Sequence, residues 1–223
     1  MSSVRDEPPA SLRVREAIDR GLLDGMHAMA QPLTILQSRI ESAMLLEEDG
    51  GAAPELLDTM AGEVERLGAL LHALQQLVAA RSWHEAASPV EPRVLLDPVL
   101  EEVATLFDRC GLPLDLDFEA TLPPVLVAPG PMRQILLTVL LAAQSMADRG
   151  DQMNISVSAA RDAVELRVQN RSGHARPHRA SLSAPFRLSM AIAEVRTLGQ
   201  QGDFLLETDP FDVRIRLPLA AVS

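Results

Sequence analysis

Cysteine, basic charge and long apolar runs are what this 223-residue sequence has least of. The single cysteine, Cys110, excludes an internal disulfide and a cysteine-rich zinc site, and it fits a reducing compartment. No run of about 18 apolar residues is present, and the N-terminal MSSVRDEPPAS has no apolar core of signal-peptide type. The expectation is a soluble cytoplasmic chain, complete as it stands. Asp and Glu total 31 against 20 Lys and Arg, a formal charge of −11. Nucleic acid and anionic membranes each call for a basic stripe that displaces counterions, so neither is expected as a partner. A protein partner is. No internal repeat or low-complexity segment is evident.

What the chain does have is apolar residues, 47% of the total, enough for one large or two modest cores. In its first part, Leu22, Met26, Met29, Leu33, Leu36, Ile40 and Ala43 alternate four and three apart, the heptad rhythm of a helix packed along one seam. Met60, Val64, Leu67, Leu71, Leu74 and Val78 repeat it. Between them EEDGGAAP supplies glycines to end one helix and Pro54 to begin the next, giving an antiparallel helical hairpin. Leu23, Leu56, Leu70 and Leu77 widen the stripes beyond what one partner helix covers, so the hairpin is expected to dimerise into a four-helix bundle.

After Arg81 the segment SWHEAASPVEP, with two prolines and small polar residues, reads as a linker of about ten residues. Beyond it the pattern is helical from Leu95 to Arg109, strand-like from Leu114 to Glu119, and strongly apolar helix from Pro131 to Asp148. Met153 to Ala159 and Ala163 to Gln169 form a hairpin, RSGHARPHRASLSAP a polar loop, Phe186 to Leu198 a helix, and Phe204 to Glu207 with Val213 to Leu217 a last strand pair. The fold class is α+β, with helices on one face of a mixed sheet.

The stretch HAMAQPLTIL holds the candidate nucleophile. Met26 belongs to the seam, so His27, about 100° further round, faces solvent at the seam's edge. Pro32 removes one backbone hydrogen bond and bends the helix a turn later. Taken with the hairpin and the second unit, these residues resemble the transmitter of a sensor histidine kinase over roughly residues 12 to 219. In that family the phosphorylated histidine is followed at the fifth position by proline and then leucine, as His27, Pro32 and Leu33 are here. The resemblance implies a dimerisation and histidine-phosphotransfer hairpin over residues 10–82, forming a dimeric four-helix bundle. A histidine-kinase ATPase-like α/β sandwich, degenerate in its boxes, follows over 93–220.

The departures from the family shape the functional expectation. Ala28 stands where the kinases carry an acidic base after the histidine. Thr138 and Ala142 stand where the asparagines of the ATPase-like helix belong, and alanine offers no oxygen to magnesium. Asn170 in VQNRSG replaces the adenine-reading aspartate, with only Gly173 left of that glycine box. Arg187, Ser189 and Met190 replace the glycines that let backbone N–H groups approach phosphates at a helix N-terminus, and Met190 is expected to obstruct that approach. The resemblance therefore narrows to the dimeric histidine phosphotransferases, which do not bind ATP and shuttle phosphoryl groups between response-regulator receiver domains. It implies His27 as phosphoacceptor, Gln31 as a possible auxiliary that hydrogen-bonds the phosphoryl group or a water, and a receiver-binding surface of Ala28, Ala30, Gln31 and Thr34. The chain is expected to bind no cofactor or metal, magnesium arriving with the receiver. Asp24, three residues before His27, is a candidate to orient the ring. A divergent ATP-dependent kinase and a non-catalytic dimeric scaffold remain as alternatives. His72, His84, His174 and His178, with Arg171, Arg176 and Arg179, are read as solvated surface, and Trp83 and Phe186 as packing.

Overall fold

The computed structural model describes residues 9–46, 54–80, 85–148, 150–171, 183–208 and 210–221. Trp83, His84, Gly173, His174, Arg176, His178 and Arg179 lie outside them, as do most of the expected polar loop and the turn glycines between the first two helices.

Helices α1 (Ala10–Leu46) and α2 (Pro54–Ala80) form the hairpin. Gly21 meets Leu77 and Gly25 meets Leu74, so the two helices run antiparallel. The helix does not end at Pro32; it continues for more than three turns, and the ring is buried. The cost is confined to one hydrogen bond, because the Ala28 carbonyl loses the N–H that residue 32 would have supplied. The heptad positions divide in two. Leu22, Met29 and Leu36 on α1 and Met60, Leu67 and Leu74 on α2 turn inward and are at least half-buried. Met26, Leu33 and Ile40, with Val64, Leu71 and Val78, recur every seventh residue and stay 47–62% exposed.

The α/β unit contains β1 (Ser88–Val90), α3 (Pro92–Cys110), β2 (Leu114–Phe118), β3 (Val125–Val127), α4 (Pro129–Met146), β4 (Gln152–Ala159), β5 (Ala163–Arg171), α5 (Ala184–Gly199), β6 (Asp203–Thr208) and β7 (Phe211–Pro218). Its five-stranded sheet has the order β2-β4-β5-β7-β6, parallel between β2 and β4 and antiparallel elsewhere. Alternate residues Met153, Ile155 and Val157, Val164, Leu166 and Val168, and Val213, Ile215 and Leu217 point to one face. There they meet α3 through Leu96, Val99 and Phe107, α4 through Ile135, Val139 and Ala143, and α5 through Phe186 and Met190. Phe186 sits edge-on to Phe211, ring centroids 6.3 Å apart. On the opposite face Asp212 accepts from Arg167 Nε at 2.9 Å and from Arg214 at 3.2 Å.

The expected linker is partly structured: β1 lies inside it and pairs antiparallel with β3, Pro89 facing Leu126. Two three-residue strands are too short to show alternation, and a proline within one reads as loop. Helices α3 and α4 begin earlier than their apolar patterns do, at Pro92 and Pro129, because proline at the first helical position sacrifices an N–H that has no partner anyway.

Helix α5 joins the two parts. Phe186, Met190 and Ala193 belong to the sheet core, whereas Leu188, Ile192, Val195 and Leu198 pack on the hairpin against Ala17, Ile18, Leu70, Leu74, Leu77 and Ala80. Leu70 and Leu77, expected to need a second copy to cover them, are thus covered within the chain. Leu23 remains exposed. Two glycines permit the close approach: a Cβ on Gly21 would lie 2.6 Å from Leu77 and 3.1 Å from Ala191, and one on Gly25 3.2 Å from Leu188.

Gly25→Val is expected to lower stability by about 1–3 kcal/mol through overpacking against Leu74 and Leu188, read by urea unfolding; a neutral effect would show that the helices do not close on this glycine. Asp212 gives a second test. Burial alone would raise its carboxyl pKa, but the guanidinium groups of Arg167 and Arg214 outweigh burial and hold it below the ordinary range. The stabilisation is then fully present above the unfolded value of about 3.9 and is lost as pH falls through the lower folded value. Asp212→Asn should cost about 1.5–3 kcal/mol at neutral pH. The gap to wild type should narrow only in acid, below about pH 4.

Candidate functional site

His27 lies in the middle of α1, exposed, with its ring tied to its own helix. Nδ1 is 2.9 Å from the carbonyl oxygen of Leu23. A carbonyl can only accept, so this contact requires a proton on Nδ1 and leaves the lone pair of the neutral ring on Nε2. The backbone therefore selects the tautomer and aims the free nitrogen outward. This differs from the expectation for Asp24. Its carboxylate turns to Arg187 on α5, Oδ2 to Nε 3.7 Å, and the Leu23 carbonyl orients the ring instead.

At about 100° per residue, Thr34 lies within about 20° of His27 around the helix, Gln31 within about 40° and Ala30 within about 60°. All four are exposed and form one stripe along α1. Thr34 Oγ1 donates to the Ala30 carbonyl at 2.9 Å, which leaves its oxygen able to accept but spends its proton. Gln31, one turn from the imidazole, carries an amide able both to donate and to accept. Ala28 is not on this stripe. It is half-buried against the cluster of Leu70, Leu74 and Leu188, so a carboxylate at this position would face apolar side chains.

The positions read as departures in the second unit have settled into structural roles. Ala142 is 7% exposed within the core. Thr138 Oγ1 donates to the Gln134 carbonyl at 2.7 Å. Asn170 is buried and its amide nitrogen donates to Asp151 at 3.3 Å. Ser183 caps α5, its hydroxyl accepting from the Phe186 N–H at 3.4 Å. Met190 does not obstruct the helix end as expected; it is 3% exposed and fills the core. His72 is exposed on α2, with Nε2 3.0 Å from the Gln76 amide nitrogen. No group of three or more His, Cys, Asp or Glu able to hold a metal occurs among the described residues, and no described helix is long and apolar enough to cross a membrane.

A histidine-bearing antiparallel hairpin followed by three helices on a mixed five-stranded sheet is an arrangement known from solved structures. The fold is that of a sensor histidine kinase transmitter. The transmitter fold is shared with the Acinetobacter baumannii histidine kinase AdeS at TM-score 0.57 and 18% identity over 87% of this chain and 98% of that one. Histidine kinase ThkA, solved in complex with the response regulator TrrA, matches at TM-score 0.60 and 12% identity, over 87% of this chain and 60% of that one. Full-length ShkA in complex with AMPPNP matches at 0.53 and 19%, over 89% of this chain and 46% of that one. No family profile and no curated protein sequence matches the chain.

The tautomer is directly testable. Long-range proton–nitrogen NMR of the His27 ring in alkaline solution should show the protonated nitrogen as Nδ1; a dominant Nε2–H form would remove the Leu23 contact from the account.

Proposed function

We propose that this chain is a histidine phosphotransferase that relays phosphoryl groups between receiver domains through phosphohistidine at His27, without using ATP. The observation that carries the proposal is the outward Nε2 of His27, its tautomer fixed by the Leu23 carbonyl, at the N-terminal end of the exposed stripe that continues through Ala30, Gln31 and Thr34. In this reading Nε2 attacks the phosphorus of a receiver's aspartyl phosphate. The Nε2–P bond forms, the P–O bond breaks, and its electron pair leaves on the carboxylate. The ring becomes cationic and keeps its proton on Nδ1, which goes on donating to the Leu23 carbonyl in a hydrogen bond strengthened by the donor's charge. Transfer to a second receiver's aspartate reverses these steps. Magnesium, which neutralises phosphoryl charge in such transfers, would come with the receiver. The chain itself holds no cofactor in this scheme. The complex of ThkA with TrrA supports a response regulator as partner.

Three features favour a relay over an ATP-dependent kinase. Ala28 faces apolar side chains and offers no base; Ala142 offers no metal ligand; and α5 is capped by Ser183 and fastened to the hairpin. The decisive experiment uses the full chain and its His27→Ala variant. It compares radiolabelled ATP with a panel of purified receivers labelled beforehand on aspartate. Label on wild type from a receiver, none from ATP and none on the variant is the expected result. Label from ATP alone would make the chain a kinase, and no label from either source would leave a scaffold.

In this reading the chain is also a homodimer. Met26, Leu33 and Ile40 with Leu57, Val64, Leu71 and Val78 leave an apolar stripe on the hairpin at seven-residue spacing, suited to a self-complementary four-helix bundle. Sedimentation should give a dimer for wild type and a folded monomer for Leu71→Glu; a monomeric wild type would contradict it.

A further inference from the structure

Helices α2, α4 and α5 meet around an open cleft of about 580 Å³. Its polar lining is His72, Gln75 and Gln76 from α2, Gln134 and Thr138 from α4, and Arg196 from α5. Among the described residues no Asp or Glu lines it, in a chain with 31 of them against 20 Lys and Arg. The two clefts where α1 faces β6 are different. Asp24 and Glu194 line one, Glu16, Glu165 and Asp203 the other, and there Arg20 and Arg13 are paired with Glu194 and Asp203. Arg196 is 8% exposed, and burial lowers its pKa from the ordinary arginine value. A guanidinium in so dry a place favours an anion beside it. The hydrogen bonds around it set the polarity of the cleft. Arginine can only donate, so Nη2 donates to the Gln76 side-chain oxygen at 3.5 Å, and the Gln76 amide nitrogen is left to donate to His72 Nε2 at 3.0 Å. The neutral His72 ring then carries its proton on Nδ1. Thr138 has spent its proton on the Gln134 carbonyl and offers only an oxygen.

We infer that this cleft binds a phosphate group, free or on a small ester, beside Arg196. The guanidinium keeps the contacts it has, because its planar fork of N–H groups serves Gln76 and a phosphate oxygen together. The amides of Gln75 and Gln134 donate to the remaining oxygens from the α2 and α4 walls, and Thr138 Oγ1 accepts from a phosphate hydroxyl. The bound group ties α2 of the hairpin to α4 of the second unit across α5. The cleft is separate from the helix start where the glycine box stood, since Arg196 lies about 20 Å along α5 from its cap at Ser183. No step of this uses His27, so the inference stands apart from the relay.

The test adds inorganic phosphate or glycerol phosphate to the full chain at neutral pH and constant ionic strength, with chloride making up the balance. Proton–nitrogen NMR follows the backbone and side-chain amides. Saturable shifts centred on Gln75, Gln76, Gln134 and Arg196 are expected, with half-saturation in the millimolar range. Tighter binding of glycerol phosphate assigns the site to an ester, and tighter binding of phosphate assigns it to the free ion. Arg196→Gln should weaken binding at least roughly tenfold. Gln134→Glu and Gln75→Glu each place a carboxylate at the cleft and should weaken it roughly three- to tenfold, which keeps the test open if Arg196→Gln does not fold. Shifts that rise linearly with concentration or scatter over the surface would overturn the inference. So would undiminished binding by Gln75→Glu and Gln134→Glu variants that unfold at the wild-type temperature.

Discussion

The way the second unit meets the histidine's helix depends on the closeness of α5 to the hairpin, and that closeness depends on two missing side chains. Gly21 and Gly25, one turn apart on α1, let Leu77 and Leu74 from α2 and Ala191 and Leu188 from α5 converge on the same stretch of helix. A Cβ at either position would displace side chains that are already packed. The consequence is a three-helix contact in which α5 serves two cores at once, one in the sheet unit and one on the hairpin. The second unit is therefore held against the histidine's helix by the same helix that helps to close its own core.

This interlock gives the replaced residues of the second unit a common physical sense. A nucleotide-carrying domain must approach and leave its histidine, and its binding loop needs small residues for backbone to meet phosphate. Here the helix start is capped by its own Ser183, Phe186 and Met190 are committed to the core, and Asn170 is hydrogen-bonded to Asp151. Each of these stabilises a fixed arrangement. His27 stands clear of this contact, with Ala30, Gln31 and Thr34 exposed beside it on the same helix.

The sequence made some of this legible and hid the rest for identifiable reasons. Heptad spacing revealed the hairpin because a long helix repeats its signal many times, and alternation revealed β4, β5 and β7 for the same reason. Strands β1 and β3 escaped because three residues cannot display a period and Pro89 argues for a loop. The exposure of His27 followed from heptad phase. Its tautomer did not, because the partner is a backbone carbonyl that sequence patterns do not display. Leu70 and Leu77 were correctly read as needing cover, but the cover comes from α5 and not from a second copy. A signal for this was present: FRLSMAIAEVRTL is apolar on more than one face, the mark of a helix buried on both sides. Ala28, which the resemblance puts on the receiver-binding surface, stands about 100° round the helix from His27 and is half-buried against the cluster of Leu70, Leu74 and Leu188.

Hydrogen exchange of α5 tests the central proposal, a second unit locked to the hairpin that carries His27 and serving no nucleotide, most directly. The account predicts that the amides of Ile192 to Leu198 exchange as slowly as those of the sheet core, because their release requires both cores to open, and that magnesium and ATP leave the pattern unchanged. Fast exchange across α5, or protection that rises with magnesium and ATP, would contradict it.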